Sequence, residues 1–270
     1  MTLSSRTFGV EFEVFFEHNK IVDIIYDYPK LFERQVANAN SFFQEDGKPN
    51  TRESAYEYAK VYGASELFDL DYYQIVERLL KALKLPGWKL HEDVSIEGPN
   101  PIEIVTPPLQ GMAGINQVVK FCNVFGKYAS VNDSTGLHVH VGAADFLAKN
   151  SGAQRLTLAL LHFKNFEPLF DSLVNASRRN NKFAASIDNQ TEILSNYKQI
   201  IKDKARKINS MLDILTKGER YKKLNLESLA KHKTLEFRQM QGTLNPTIVK
   251  NWIVICTSFV DMIIETEESF

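Results

Sequence analysis

Phe8-Gly9-Val10-Glu11-Phe12-Glu13-Val14 alternates apolar and acidic side chains with a period of two. In a β-strand, residues two apart point to the same face. Phe8, Val10, Phe12 and Val14 therefore make one apolar face, while Glu11 and Glu13 lie together on the other. Three other short segments repeat the pattern. In Ile102-Glu103-Ile104 an acid opposes two apolar neighbours. In Leu137-His138-Val139-His140-Val141 two histidines share a face. In Leu235-Glu236-Phe237-Arg238 an acid and a guanidinium share one. Any one segment alone is equally well explained as a sheet with one wet face. An ordinary solvent face mixes Lys, Thr, Ser and Gln with its acids. Here the four polar faces carry acids, a His-x-His and an Arg, and no Lys.

If the four strands share a sheet, their carboxylates converge and raise one another's pKa values unless cations neutralise them. A divalent metal is the economical solution. Carboxylate oxygens dominate, which suits Mg²⁺ or Mn²⁺, and imidazole adds to the case for Mn²⁺. A zinc site from His138, His140 and one Glu is the competing reading. It leaves Glu11, Glu13, Arg238 and a second arginine cluster without a role.

That cluster is Ser177-Arg178-Arg179-Asn180-Asn181. By itself it reads as a basic helix end facing the last carbonyls. Beside a carboxylate-rich metal site it reads as a phosphate clamp, because Arg makes paired hydrogen bonds to phosphate oxygens. Metal plus Arg is the equipment of phosphoryl transfer. No GxxxxGK[ST], no strand-linked GxGxxG and no Ser-centred nucleophile elbow occurs. His18, His91, His162 and His232 are isolated and read as ordinary core or surface histidines.

The rest of the chain frames these segments. Its 270 residues carry a formal net charge of −1, with 44% hydrophobic and 24% charged residues. Such a balance gives no electrostatic reason to expect nucleic acid or an anionic membrane as partner. Cys122 and Cys256, with no CxxC spacing, read as buried thiols of a reducing cytoplasm. Met1 to Val10 has no apolar signal core. Trp252 to Ile264, broken by Thr257, Ser258 and Asp261, reads as too short and too polar to span a bilayer. No repeat, low-complexity tract or linker divides the chain, so 1–270 reads as a single α+β domain. Thr7 to Phe16 is an expected strand. Trp88 to Leu109 should hold two strands separated by Gly98-Pro-Asn-Pro101, and Gly136 to Ala143 and Thr234 to Gln239 two more. Helices are expected over Asp69 to Leu85, Ile115 to Tyr128, Gln154 to Leu173 and Glu192 to Thr216. A last helix follows an Asn245–Pro246 cap, with Ile248, Trp252, Ile255, Phe259 and Ile263 facing the sheet. Glu17 to Glu66 is hard to read; its polar part, Gln44 to Glu53, is a candidate loop over the site.

In order along the chain, these motifs resemble the amidoligase family of the glutamine synthetase and glutamate–cysteine ligase superfamily. The matching pieces are Phe8-Gly-Val-Glu-Phe-Glu13, Trp88 with Asp93-Val-Ser-Ile96, Glu103-Ile-Val-Thr-Pro-Pro-Leu109, Ser134-Thr-Gly-Leu-His-Val-His-Val-Gly142 and Ser177-Arg-Arg-Asn180. Arg220-Tyr221, Leu224-Asn-Leu226, Thr234-Leu-Glu-Phe-Arg238 and Gly242-Thr243 continue the series. The family's usual Asp-Gly-Ser is Asp93-Val-Ser95 here, and Phe183-Ala184 stands where Tyr-Cys commonly follows the double Arg.

The resemblance implies a glutamine-synthetase-like curved antiparallel sheet, a half-barrel with helices packed on its outer face. It implies an ATP-dependent carboxylate–amine ligase that works through an acyl phosphate with two divalent metal ions, Mg²⁺ or Mn²⁺. Its partners would be ATP, a small carboxylate donor and an amine acceptor such as an amino acid, polyamine or peptide. By the same resemblance Glu11, Glu13, Glu103, His138 and Glu236 hold metal. Arg238, Arg178 and Arg179 contact phosphates and act in catalysis with Glu236. His140 and Asn225 are candidates to contact the nucleotide, His140 alternatively a metal. Asp93 and Ser95 match positions near the site. Gly136 and Gly242 let backbone approach the ligands. Specificity is expected in Gln44 to Glu53 and Phe183 to Gln190. A guanidino-kinase-like phosphotransferase and a non-catalytic nucleotide- or metal-binding protein on the same scaffold are the alternatives.

Overall fold

The expected first strand forms as β1 (Thr7–Phe15) and becomes the centre of an antiparallel sheet. The computed structural model describes residues 4–47, 49, 51–147, 152–205 and 207–268. Four helices follow β1: α1 (His18–Asp27), α2 (Glu33–Glu45), α3 (Arg52–Tyr62) and the short α4 (Ala64–Phe68). The stretch that the sequence left unread is thus a helical cluster. It is held by Ile21, Val22, Ile24 and Ile25 of α1 and by Ala55 and Ala59 of α3, all fully buried. The expected helix over 69–85 is α5 (Tyr72–Ala82). Asp71 caps it by accepting the Tyr73 N–H at 2.7 Å.

β2 (Lys89–His91), β3 (Pro101–Val105) and β4 (Leu109–Gln110) occupy the expected strand region, with β4 an addition. Next come α6 (Gly111–Phe125), β5 (Gly136–Gly142), α7 (Gly152–Ser172) and the single turn α8 (Ala176–Arg179). The one long helix expected over 192–216 is two helices, α9 (Gln190–Lys202) and α10 (Ile208–Thr216). Lys204 takes a left-handed φ of 52° between them, a conformation no α-helix continues through. The chain ends with β6 (Leu224–Asn225), α11 (Ser228–His232), β7 (Thr234–Gln241) and α12 (Pro246–Glu268).

The strands form one open sheet in the order β2-β3-β1-β5-β7-β6, with β4 also paired to β1; every pairing is antiparallel. The alternation read from sequence is realised. Phe8, Val10, Phe12, Val14, Ile102, Ile104, Leu137, Val139, Val141, Leu235 and Phe237 are all buried. Aromatic rings seal that face. Phe12 packs on Phe121 of α6 at 4.7 Å between centroids, and Phe237 on Phe163 and Phe259 of α7 and α12 at 6.2 and 5.8 Å.

α12 starts as expected, with the Asn245 side chain accepting the N–H groups of Thr247 and Ile248. Its buried face differs from the expected stripe. Val249, Trp252, Ile253, Cys256, Phe259, Val260 and Ile263 are buried, while Ile248 is exposed. The helix rests on α6, α7 and β5 together, so its apolar face is wider than one stripe. Pro246–Thr266 is also longer and more apolar than the reading of 252–264 held. By length and composition it reaches a membrane-spanning size, and 44% of its most apolar window is buried within the fold.

Candidate active site

The polar face of the sheet carries the acids, histidines and arginines, and strand register sets their neighbours. Glu13 of β1 lies directly opposite Glu103 of β3, and Glu11 opposite His138 of β5. His140 pairs with Glu236 of β7, which pairs in turn with Asn225 of β6. Five chain segments thereby contribute to one patch, which floors a cleft of about 680 Å³.

Within it Glu11 bridges the two histidines, with Oε2 3.2 Å from His138 Nδ1 and Oε1 3.0 Å from His140 Nε2. Burial alone would raise the Glu11 pKa, but hydrogen bonds to His138 and His140 outweigh it and hold the carboxyl below its usual range. Burial would lower His140; the hydrogen bond and charge of Glu11, with Glu236 behind, raise it instead. Glu13 accepts the Gly136 N–H at 2.5 Å and stands 3.4 Å from His138 Nε2. A Cβ at Gly136 would lie 2.8 Å from His138 Nε2, 3.1 Å from Arg178 Nη2 and 3.2 Å from Glu13 Oε2. The backbone therefore approaches the cluster at Gly136, as expected. Gly242 does not serve the site; a Cβ there would run into Thr135.

Glu103 has no hydrogen-bond or ion-pair partner among the described residues. Burial, then the charges of Glu11, Glu13, Asp93 and Glu236, push its pKa up to about 8. Glu236 is held from two sides. Asn225 Nδ2 donates to it at 2.6 Å, and Arg238 Nη1 donates to its other oxygen. Asn225 also accepts the Glu227 N–H at 2.9 Å, so it supports Glu236 while lining the cleft.

Three groups of potential ligand atoms, each within 4.8 Å of one another, emerge among the described residues. They are Glu13, Asp93 and Glu103; Glu11, Glu103 and His138; and Glu11, His140 and Glu236. None of the three groups contains both histidines, although Glu11 reaches each of them. Asp93, expected only to lie near the site, joins an acidic group. Its loop is a tight turn in which the Ser95 N–H and hydroxyl both bond Asp93 Oδ1, at 2.8 and 2.7 Å.

The paired arginines part company. Arg178 is 2% exposed, lines the cleft, and donates from Nη2 to the Arg238 carbonyl at 2.8 Å. Burial pulls its pKa below the usual value, against the pull of Glu13. Arg179 is exposed, bonds the Val174 carbonyl at 3.3 Å and does not line the cleft. Neighbours on a helical turn point in different directions, so the pair does not form a clamp. Arg220 lines the cleft as well. Its guanidinium lies 4.8 Å from the Tyr221 ring centre and that of Arg238 5.6 Å from it, and all three residues line the cleft. His232, read as ordinary, stands at the cleft wall with its ring 6.0 Å from that of His140. Phe183 lines the cleft, whereas no described residue of 44–53 does.

A family profile described as "putative amidoligase enzyme" matches residues 4–260, a span that takes in every one of these side chains. The chain belongs to the amidoligase family. Comparison with curated proteins finds no match. That family membership points to a ligase-type enzyme. In this amidoligase the motifs scattered over the sequence come together on one sheet face, in a cleft large enough for a small-molecule ligand.

Proposed function

We propose that this amidoligase is an ATP-dependent carboxylate–amine ligase acting through an acyl phosphate with two divalent metal ions. The observation that carries the reading is the cleft's composition. Glu11, Glu13, Glu103 and Glu236 crowd one sheet face beside Asp93 of the β2–β3 loop, with Arg178, Arg220 and Arg238 around them. The open antiparallel sheet, polar on the cleft side and covered by helices on the other, supports a glutamine-synthetase-like half-barrel as the finer description of the fold. Buried free thiols at Cys122 and Cys256 fit a cytoplasmic setting.

The donor set fits divalent cations. Glu103 faces Glu13 without a compensating positive charge, a costly arrangement until a cation neutralises it. The all-carboxylate group of Glu13, Asp93 and Glu103 suits Mg²⁺. The mixed group of Glu11, His140 and Glu236 accommodates Mg²⁺ or Mn²⁺, with His138 between the two. His140 and Asp93 thereby join Glu11, Glu13, Glu103, His138 and Glu236 as candidate ligands. When bound, such ions would neutralise phosphate charge as it shifts between donor and leaving oxygens.

The protein's own groups supply the rest. Arg178 has an Nη1 without a partner among the described residues, and Arg220 and Arg238 flank the cleft mouth; these three would orient the phosphates. A substrate carboxylate oxygen attacks the γ-phosphorus of ATP, and ADP departs with the electron pair of the broken P–O bond. The amine nitrogen then attacks the acyl carbon, the C–O bond to phosphate breaks, inorganic phosphate leaves and the nitrogen loses its proton. A carboxylate resists direct attack because oxide is a poor leaving group; phosphate is a good one.

The test is incubation with Mg²⁺ or Mn²⁺, ATP and pooled carboxylates and amines, following phosphate release and new masses, with Glu13→Gln as control. Metal-dependent phosphate release with a product one water lighter than its two substrates is the expected result. A phosphorylated product without condensation would replace the ligase by a phosphotransferase. Absence of metal-dependent ATP binding would point to neither.

A further inference from the structure

A second cavity, of about 620 Å³, opens on the same sheet face toward the N-terminal end of β1. It shares Glu11, His140 and His232 with the active-site cleft, so these three side chains border both spaces. Small residues line it: Thr7 and Gly9 of β1, Gly142 of β5 and Thr234 of β7, with Val105 and Pro108 adding apolar surface. Its far side is an ion network. Arg6 Nε donates to Asp261 Oδ1 at 2.7 Å, and Nη1 and Nη2 donate to the two oxygens of Asp145 at 2.9 and 2.8 Å. Arg6 Nη1 also donates to the Gly142 carbonyl at 2.8 Å.

These contacts decide the kind of ligand. The Arg6 fork is engaged by two carboxylates and a carbonyl, so it offers little to an incoming carboxylate or phosphate. Arg155 also bears on Asp145, donating to its carbonyl at 2.5 Å and helping to hold its carboxyl below the usual range, so Asp145 is compensated from two sides. Asp261 Oδ2 has no partner among the described residues and is the carboxylate oxygen left for an incoming cation. Lys233, also at the rim, turns its ammonium to the Ala230 carbonyl at 3.2 Å. The arginines suited to phosphate, Arg178, Arg220 and Arg238, all line the other cleft.

We infer that this chamber receives the amine acceptor, and that the acceptor is a primary amine with a second cationic group, such as an alkyl diamine or a basic amino acid. The reacting amine approaches the shared border of Glu11, His140 and His232. The carbon chain lies over Gly9 and beside Val105, and the distal ammonium meets Asp261. The inference rests on the ligase reading, which supplies the acyl phosphate in the adjoining cleft that the same three side chains border.

Titration of the Mn²⁺-saturated protein with 1,4-diaminobutane, lysine and butylamine tests it. Gly9→Val and Asp261→Asn are the variants. A Cβ at Gly9 meets nothing closer than Thr106 Oγ1 at 3.7 Å, so the added methyls enter the chamber. The expected result is diamine or lysine binding weakened at least tenfold by both substitutions, with Mn²⁺–ATP affinity within twofold of the parent. Butylamine should bind more weakly than the diamine and be insensitive to Asp261→Asn. Unchanged diamine and lysine binding in both variants, or no binding of either to the parent, overturns the inference. So does a Gly9→Val variant that loses ATP while keeping the diamine, since the chamber would then hold the nucleotide. Failure of the parent to bind ATP with metal removes the ligase reading instead, and the amine titration still reports on the chamber.

Discussion

Glu103 and Glu13 face each other across the β1–β3 ladder, and the Glu103 carboxyl, raised to about 8, holds a proton at pH 7 in the metal-free protein. A metal ligand must be deprotonated, so metal binding at pH 7 should expel that proton. Isothermal titration with Mn²⁺ in two buffers of different ionisation enthalpy should show protons released at pH 7, about one of them from Glu103 and the rest from His140, and close to none near pH 9.5. Glu103→Gln should lower that release by about one proton and weaken binding; an unchanged proton count would remove Glu103 from the ligand set. Gly136 makes a complementary test by shape. His138 is pinned among Glu11, Glu13 and Glu236, so a methyl 2.8 Å from its Nε2 has to displace it. Gly136→Ala should keep the fold, as judged by circular dichroism, yet lower Mn²⁺ affinity by about 10–100-fold, the usual cost of misplacing a ligand. The difference between Arg178 and Arg179 also belongs to this scale. In sequence they are equivalent, and only the direction of the turn carrying them buries one at the cleft and exposes the other.

β7 is held in place from behind by charges inside the fold. Lys223, fully buried beside β6, pairs with Glu167 at 2.9 Å and Asp171 at 2.7 Å, both on α7, and its carbonyl accepts the Arg238 N–H at 2.9 Å. Lys164 also reaches Glu167, at 2.8 Å, so the network is only partly dependent on Lys223. Lys223→Met leaves Glu167 Oε1 and Asp171 without their ammonium. Urea unfolding should show a loss of about 3 kcal/mol, the low end for breaking a buried pair; less than 1 kcal/mol would mean that water already screens the network. None of this was legible in the sequence, where Lys223 sits in an ordinary charged stretch. The strands were legible because their period of two coincides with a sheet apolar on one face and polar on the other. The helices of residues 18–68 were not. α1 and α2 lack side-chain caps, and they pack on their neighbouring helices, α1 on α3 and α2 on α4. The break between α9 and α10 was hidden for a related reason. Lys204 adopts a left-handed φ that its residue type does not announce.

Across the whole molecule, the site was legible where it rests on strands and obscure where loops complete it. Glu11, Glu13, Glu103, His138 and Glu236 follow from alternation and Asp93 from a matching motif without a role, while His232 reaches the site by tertiary folding alone. The converging charges also give the metal-free protein a pH dependence with a definite sign. Folded Glu103 titrates near 8 and an unfolded glutamate near 4.5, so the native state holds a proton that the unfolded chain releases between those values. Its stabilising contribution is complete below 4.5 and is lost as pH rises toward 8. His140, also raised, loses its contribution as pH climbs through its folded pKa. Glu11 is depressed, so its contribution is complete above its unfolded pKa and constant over the same range. Between pH 6 and 8.5 these terms act together, with a slope of at most about 1.4 kcal/mol per pH unit for each proton. The melting temperature without metal should therefore fall over that interval, and Glu103→Gln should flatten the fall. Mg²⁺ or Mn²⁺ binds the deprotonated cluster, so its stabilisation should be larger at pH 8 than at pH 6. Scanning calorimetry across the interval, with and without saturating Mn²⁺, checks both halves. A metal-free protein that grows more stable from pH 6 to 8.5 would mean that the carboxylates are already neutralised by the protein's own arginines, and the cluster would then have no need of a cation.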